Sequence, residues 1–239
     1  MTEKKTRIKF IFLVFFLILS FIMSFSIGRY PIKFFDVIKV IIDRIFYGIV
    51  DNSPASTVIW NIRIPRVLST ILVGAGISTS GALYQGLLKN PMVSPDILGT
   101  TQAAAFGCAF GILMYFNFFE ITLLSFSLGI LSVFVTYTLS KIFRSDRILG
   151  LILTGMMIGS LFSSLISFVK LVADTENQLP SITYWLMGSF ASVKMIDFKF
   201  IFFPIVIGLI VSNLYKIEIN IFTMGEEEAK TLGLNTDKI

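Results

Sequence analysis

Histidine is missing from all 239 residues, and cysteine occurs once, at Cys108. An internal disulfide is therefore impossible. The commonest protein ligand for zinc and haem iron is absent too, so neither a resident metal or cofactor nor metal catalysis is expected. Charge is scarce as well: Asp, Glu, Lys and Arg supply 15% of the chain, against about 25% in ordinary soluble domains. The centres of the long apolar runs carry no Asp, Glu, Lys or Arg. Proton- or sodium-coupled carriers and intramembrane enzymes keep such groups at mid-membrane, where each costs about 2.5–3.5 kcal/mol to place. Without them, driving energy has to come from elsewhere. No G-x-x-x-x-G-K-[ST] phosphate loop occurs, so nucleotide is not bound through that motif, and the chain is read as a non-enzyme.

What is present is apolar. Hydrophobic residues make up 55% and the mean hydropathy is +0.84. Long apolar runs predict one all-α polytopic membrane bundle over residues 1–239, with spans near 10–28, 66–88, 96–115, 121–140, 148–169 and 200–215. The net charge of +5 does not point to nucleic acid, because basic residues gather at the ends of apolar runs, as orientation signals do. Lys4, Lys5, Arg7 and Lys9 before the first run, and Lys141, Arg144 and Arg147 in a later loop, predict a multi-pass protein of the cytoplasmic membrane with its N-terminus inside. The segment 29–66, read as outer, is also basic and weighs against that orientation. The phenylalanine-rich first run suits a helix in contact with membrane lipid. Residues 31–47 place Ile38, Ile41, Ile42 and Ile45 on one side of a helix and Lys39, Asp43 and Arg44 on the other, as in a surface helix at the outer interface. Residues 51–56 form a polar link. Tyr184 and Trp185 lie in an outer segment, 174–197, and Pro204 is expected to kink the last span.

The stretch 61–99, NIRIPRVLSTILVGAGISTSGALYQGLLKNPMVSPDILG, organises the rest. Residues 67–88 are uncharged, enough to cross a bilayer as a helix. Gly74, Ser78, Ala82 and Gly86 recur every fourth residue, with Gly76 and Gly81 beside them, and form a ridge low enough for another helix to lie against the backbone. Ser94, Pro95 and Asp96 suit the cap, first turn and positive dipole end of a following helix. That helix carries a second ridge, Gly99, Ala103, Gly107 and Gly111. A later span carries a third, Gly155, Gly159, Ser163 and Ser167, read either as close packing or as the wall of a polar path. Gln85 and Asn90, near the inner end of their helix, either hydrogen-bond between helices or contribute to an inner gate. Arg63 and Arg66, at the outer end, are open to interfacial anchoring by snorkelling.

The motifs RIPR (63–66), GAG (74–76), GALYQG (81–86), NP (90–91), SPDILG (94–99) and YWLMGS (184–189) occur in an order and spacing that resembles the FecCD/BtuC-type permease subunits of ABC importers for ferric siderophores, haem and cobalamin. The resemblance implies a BtuC-like transmembrane domain working as a dimer with a second copy or a homologous permease. It also implies a cytoplasmic ABC ATPase and an extracellular or periplasmic substrate-binding protein, whose glutamates pair with Arg63 and Arg66. A ferric siderophore is the expected cargo, with haem and cobalamin behind it. Such permeases look like ten-helix proteins, so the chain is expected to hold only their first six. A truncated or non-transporting membrane scaffold is the alternative, and a reading frame continuing past Ile239 would count against it.

The stretch 223–234, TMGEEEAKTLGL, differs in kind. Thr223 and Glu226 have capping-box spacing, Glu226, Glu227 and Glu228 load the positive end of the dipole, and Gly233 supplies a left-handed stop. Together they predict a two-turn helix over 224–233. Three carboxylates keep it out of lipid, and its length makes it dependent on a partner surface. Gly225, Glu228, Ala229, Leu232 and Gly233 resemble the EAA-type coupling segment, which implies docking in a groove of the ATPase. Cysteine labelling tests the topology: residues introduced within 174–197 should react from outside intact cells, and labelling confined to the cytoplasm would overturn it.

Overall fold

Five stretches of the computed structural model, Lys5–Ser26, Pro54–Leu87, Phe118–Ser140, Ile148–Val172 and Met195–Leu214, are helices long and apolar enough to cross a bilayer. The structure describes residues 2–48, 51, 53–142, 147–225, 229, 231 and 233, and among these every regular element is helical. In chain order the elements are α1 (Thr2–Ser26), α2 (Phe34–Phe46), α3 (Pro54–Val58), a π-helical turn (Ile59–Arg63), α4 (Ile64–Leu87), α5 (Thr100–Leu113), α6 (Phe118–Ser140), α7 (Arg147–Val172), α8 (Gln178–Met187), α9 (Met195–Leu214) and α10 (Lys216–Met224).

Local chemistry sets several of these ends. Ser53 Oγ accepts from the Ser56 N–H at 3.2 Å, and Pro54 stands at the start of α3, where its missing N–H removes no helical bond. The chain then runs through the π turn into α4 without a break. Pro65 cannot donate to the carbonyl four residues earlier, and a widened turn just before it accommodates that loss. The polar link expected at 51–56 is thus corrected: from Pro54 onward it is the first turn of a 34-residue helical run. Asn117 Oδ1 accepts from the Glu120 N–H (3.0 Å) and Glu120 Oε2 from the Asn117 N–H (2.8 Å), so a reciprocal cap starts α6 after a tight turn.

The helix expected to begin at Ser94, Pro95 and Asp96 begins instead at Thr100, with Gly99 at the cap in the left-handed conformation (φ 74°). The 14 residues of α5 rise about 21 Å at 1.5 Å each, short of a hydrocarbon core of roughly 30 Å. Tertiary packing overrides the capping chemistry. Residues 95–98 form turns, in which Gly99 N–H donates to the Asp96 carbonyl at 2.9 Å, and the turn sits directly on α7. A Cβ at Gly155 would clash with the carbonyl oxygen of Ile97, and one at Gly99 would stand 2.9 Å from the Gly159 nitrogen. Thr136 of α6 donates its hydroxyl to the Leu98 carbonyl at 3.2 Å. Leu98 and Val93 are buried.

The chain packs as two units, Met1–Gly76 with Phe190–Ile210, and Ile77–Ser189 with Val211–Ile239. In the first, Phe25, Ile32, Val37 and Ile59 form a core joined by Val40, Ile41, Trp60 and Ile64. In the second, Ala109, Val169, Ala173 and Ile182 form a core that holds α8 against α5. Gln178 ties that corner: its Nε2 donates to the Leu113 carbonyl (3.0 Å) and its Oε1 accepts from the Asp174 N–H (3.0 Å). The Asn177 backbone N–H, donating to the Asp174 carboxylate at 2.8 Å, holds that carboxyl below its ordinary value.

Glycine positions in contact should differ sharply from open ones. Gly155→Ala should lower the melting temperature of the detergent-solubilised protein by the equivalent of about 1–3 kcal/mol or more, the overpacking range. Gly74→Ala, with nothing within 4 Å of its added Cβ, should stay within about 1 kcal/mol of the parent. Equal melting of the two variants would disprove the seat on α7.

Candidate functional site

The two arginines of the RIPR motif have different surroundings. Arg63 closes the π turn and is buried, its Nη1 donating to the Phe25 carbonyl and its Nη2 to the Tyr30 carbonyl. Gly28 makes room for the guanidinium, since a Cβ there would lie 3.1 Å from Nη2. Arg66, half-buried one turn on, donates from Nε to the Phe190 carbonyl (3.1 Å) and from Nη2 to the Ala191 carbonyl (2.6 Å). Expected together as docking groups, they are separated here: Arg63 faces inward as a staple, and Arg66 keeps access to solvent. The signal that could have told them apart is the proline between them, whose helix defect turns Arg63 back toward α1.

Gln85 and Asn90 are brought together, within one turn. Gln85 Nε2 donates to the Val93 carbonyl at 3.3 Å, Asn90 N–H donates to the Gln85 carbonyl at 3.2 Å, and Asn90 Oδ1 accepts from the Met92 N–H at 2.9 Å. These bonds fold the chain after α4 on itself rather than linking two long helices. Met92 projects from the tip, 88% exposed.

Among the small residues of α4, contact falls on some positions and not on others. A Cβ at Gly76 would meet Ile205 at 3.2 Å, at Gly81 Pro95 at 3.5 Å, and at Gly86 Thr223 at 3.2 Å. Gly74, Ser78 and Ala82 are exposed among the described residues. On α5, a Cβ at Gly107 would lie 2.8 Å from the Ser125 Cα, and one at Gly111 would lie 2.9 Å from Ile121 Cγ1; Ala103 is fully buried. On α7, Gly155 and Gly159 receive the turn described above, while Ser163 and Ser167 are exposed. The Ser167 hydroxyl donates to the Ser163 carbonyl at 3.0 Å. Thr136 is the residue of this seat that sequence periodicity passed over, because a threonine among apolar residues gives no spacing signal.

The segment expected as a two-turn helix over 224–233 starts differently. Thr223 lies inside α10, an element not foreseen, and its hydroxyl donates to the Asn220 carbonyl at 2.7 Å, so it does not cap. The break falls at Gly225 (φ 157°, ψ 153°), whose carbonyl accepts from the Ala229 N–H at 2.9 Å. Ala229 is fully buried, and Gly233 takes the left-handed conformation at φ 84°. Glu226, Glu227, Glu228 and Leu232 lie outside the described residues, as does Arg144.

The FecCD transport family model matches residues 16–239. The chain belongs to that family. This FecCD-family chain is 33% identical over 218 residues to the molybdate import system permease protein MolB of Haemophilus influenzae, covering 91% of this chain and 64% of MolB. It is 30% identical to a Helicobacter pylori permease named for iron chelatin transport, covering 77% of this chain and 55% of that one. It is also similar to a solved structure described as an inward-facing conformation of a metal-chelate type ABC transporter, with a TM-score of 0.79 and 32% identity over 95% of this chain and 68% of the other. The chain thus spans from about half to about two-thirds of the length of these proteins. The all-helical, BtuC-like membrane fold expected from the motifs is the fold observed.

Removing the buried guanidinium leaves two carbonyl acceptors without donors, a loss of about 1–3 kcal/mol. Arg63→Gln should therefore lower the melting temperature in detergent more than Arg66→Gln, and Arg63→Lys should recover only part, since an ammonium lacks the planar fork. Indifference of stability to Arg63→Gln would remove the staple.

Proposed function

We propose that this FecCD-family chain is the membrane-spanning permease part of an ABC importer, carrying cargo inward across the cytoplasmic membrane on energy from ATP hydrolysed by a separate cytoplasmic subunit. The observation that carries the reading is the likeness, over 95% of the chain, to a metal-chelate type ABC transporter. The N-terminus lies in the cytoplasm, and α5 with the turn before it makes the third of six crossings of one permease domain over residues 1–239. Irregular backbone is tolerable at that depth because α7 and Thr136 seal it. A second permease copy or a homologous one completes the path.

Arg66 is the docking group toward an outer binding protein, since it retains solvent access while Arg63 does not. Gly225, Ala229 and Gly233, with Glu228 and Leu232 by sequence, form the coupling segment toward the ATPase. Gln85 and Asn90 shape a turn at the inner end, where a gate would stand. The cargo is a ferric siderophore, in keeping with the relative named for iron chelatin. Molybdate is the second reading, favoured by 33% identity to MolB over 91% of the chain; haem and cobalamin stand behind both.

Uptake of radiolabelled ferric siderophore, molybdate, haem and cobalamin by the full-length complex in proteoliposomes decides the cargo, with siderophore alone expected to accumulate on ATP. In the same system Gly233→Val, which forces a β-branched residue into a left-handed site at about 1–2 kcal/mol or more, and Ala229→Trp should abolish uptake and ATPase stimulation while leaving binding-protein docking intact. Glu227→Gln should stay near wild type. Wild-type coupling in Gly233→Val would reduce the segment to an interfacial helix. Arg66→Glu should weaken docking, and a Glu-to-Arg change on the binding protein should restore it; unchanged affinity would leave Arg66 a structural clamp.

A further inference from the structure

The circumference of α2 divides into three sectors. Val37 is 3% exposed, Val40 and Ile41 pack beside it on Phe25, Ile32 and Ile59, and the Arg44 guanidinium lies 4.6 Å from the centroid of the Trp60 ring. At about 100° per residue, Phe34, Ile45, Ile38, Ile42, Phe35 and Phe46 follow as one unbroken apolar sector. All six are exposed, Phe35 to 81% and Phe46 to 77%. Lys39, Asp43 and Asp36 complete the circle as a charged sector.

Protein packing accounts for the first sector and water for the third. The second is a contiguous row of large apolar side chains that neither explains. Its surroundings follow from α1, which exposes nearly every large apolar side chain between Phe10 and Met23, as a helix immersed in hydrocarbon does. Phe25, in the last turn of α1, belongs to the same cluster as Val37. A helix pinned to the last turn of a membrane span lies at the boundary between hydrocarbon and headgroups, whichever side of the membrane that end faces.

We infer that α2 is a lipid-binding surface. It lies along the membrane interface with its Phe34–Phe46 apolar sector in the acyl-chain boundary, continuous with the lipid-facing surface of α1, and with Lys33 and Lys39 at headgroup level. Lys39 is balanced by Asp36 and Asp43 on the charged sector, so apolar burial, and not attraction to anionic lipid, holds the helix there. The core shared with Phe25 fixes α2 to the end of α1, so the depth of one sets the depth of the other.

The test is a spin-label scan of the full chain carrying Cys108→Ala, reconstituted in phosphatidylethanolamine–phosphatidylglycerol vesicles, with Phe35→Cys, Ile38→Cys and Ile42→Cys set against Asp36→Cys, Lys39→Cys and Asp43→Cys. Labels on the apolar sector should collide with oxygen several-fold more than with a water-soluble nickel chelate, and labels on the charged sector should show the reverse. Phosphatidylcholine vesicles should give the same pattern. Equal nickel access at all six positions would place the sector in water, and labels at 35, 38 and 42 closed to both reagents would show a covering protein; either result overturns the inference. Should Cys108→Ala fail to assemble, the scan is run with Cys108 in place, since that thiol is fully buried and takes no label.

Discussion

The carbonyl oxygen of Ile97 lies too close to residue 155 to leave room for a Cβ there. Much of the second unit depends on that contact. The turn before α5 is irregular backbone packed between apolar helices, and its buried polar groups need partners within the protein. Three features remove the difficulty together: Gly155 and Gly159 let the turn lie against α7, Thr136 supplies a hydroxyl to the Leu98 carbonyl, and Gly99 takes the left-handed conformation that starts α5. α5 is short because the turn takes up the length before it. Its own glycines at 107 and 111 then bring α6 to backbone contact, which sets Thr136 within reach of the turn.

In the first unit the corresponding constraint is a buried cation. A guanidinium in an apolar setting needs oxygen acceptors, and the end of a helix has carbonyls that no residue of its own satisfies. Arg63 meets α1 at that end, taking the Phe25 carbonyl from its last turn and the Tyr30 carbonyl from the bend beyond. The negative end of the α1 dipole favours the same placement. The π turn and Pro65 make this geometry reachable: without the widened turn, residue 63 would continue the register of α4 and project elsewhere.

The fold class and most of the long helices were legible because uncharged runs of span length leave few alternatives. The start of α5 was not. Ser94, Pro95 and Asp96 meet every local rule for a helix start, and what defeats them is the notch in α7, sixty residues away in sequence and invisible to periodicity. The same limit applies to the small-residue ridges. Spacing every fourth residue marks Gly74, Ser78, Ala82 and Gly86 as one ridge, but of these glycines only Gly86 meets a neighbour, while Gly76 and Gly81 beside the ridge are also in contact, and only packing decides which positions are used. The motif RIPR was legible as a unit, whereas the division of labour between its arginines was not, since it depends on a helix defect introduced by the proline inside the motif.

Position 86 connects the last of these points to the coupling-like segment. The methyl group of Thr223 fills the space a side chain at Gly86 would take, and its hydroxyl is returned to the Asn220 carbonyl of its own helix. The residue that looked in sequence like a cap is therefore the point at which α10 rests on α4, and the break is moved two residues on, to Gly225. Past the break, the Gly225 carbonyl accepts from the N–H of a fully buried Ala229. The end of α4 that carries Gly86 is itself tied by Gln85 and Asn90 into the turn that leads to α5.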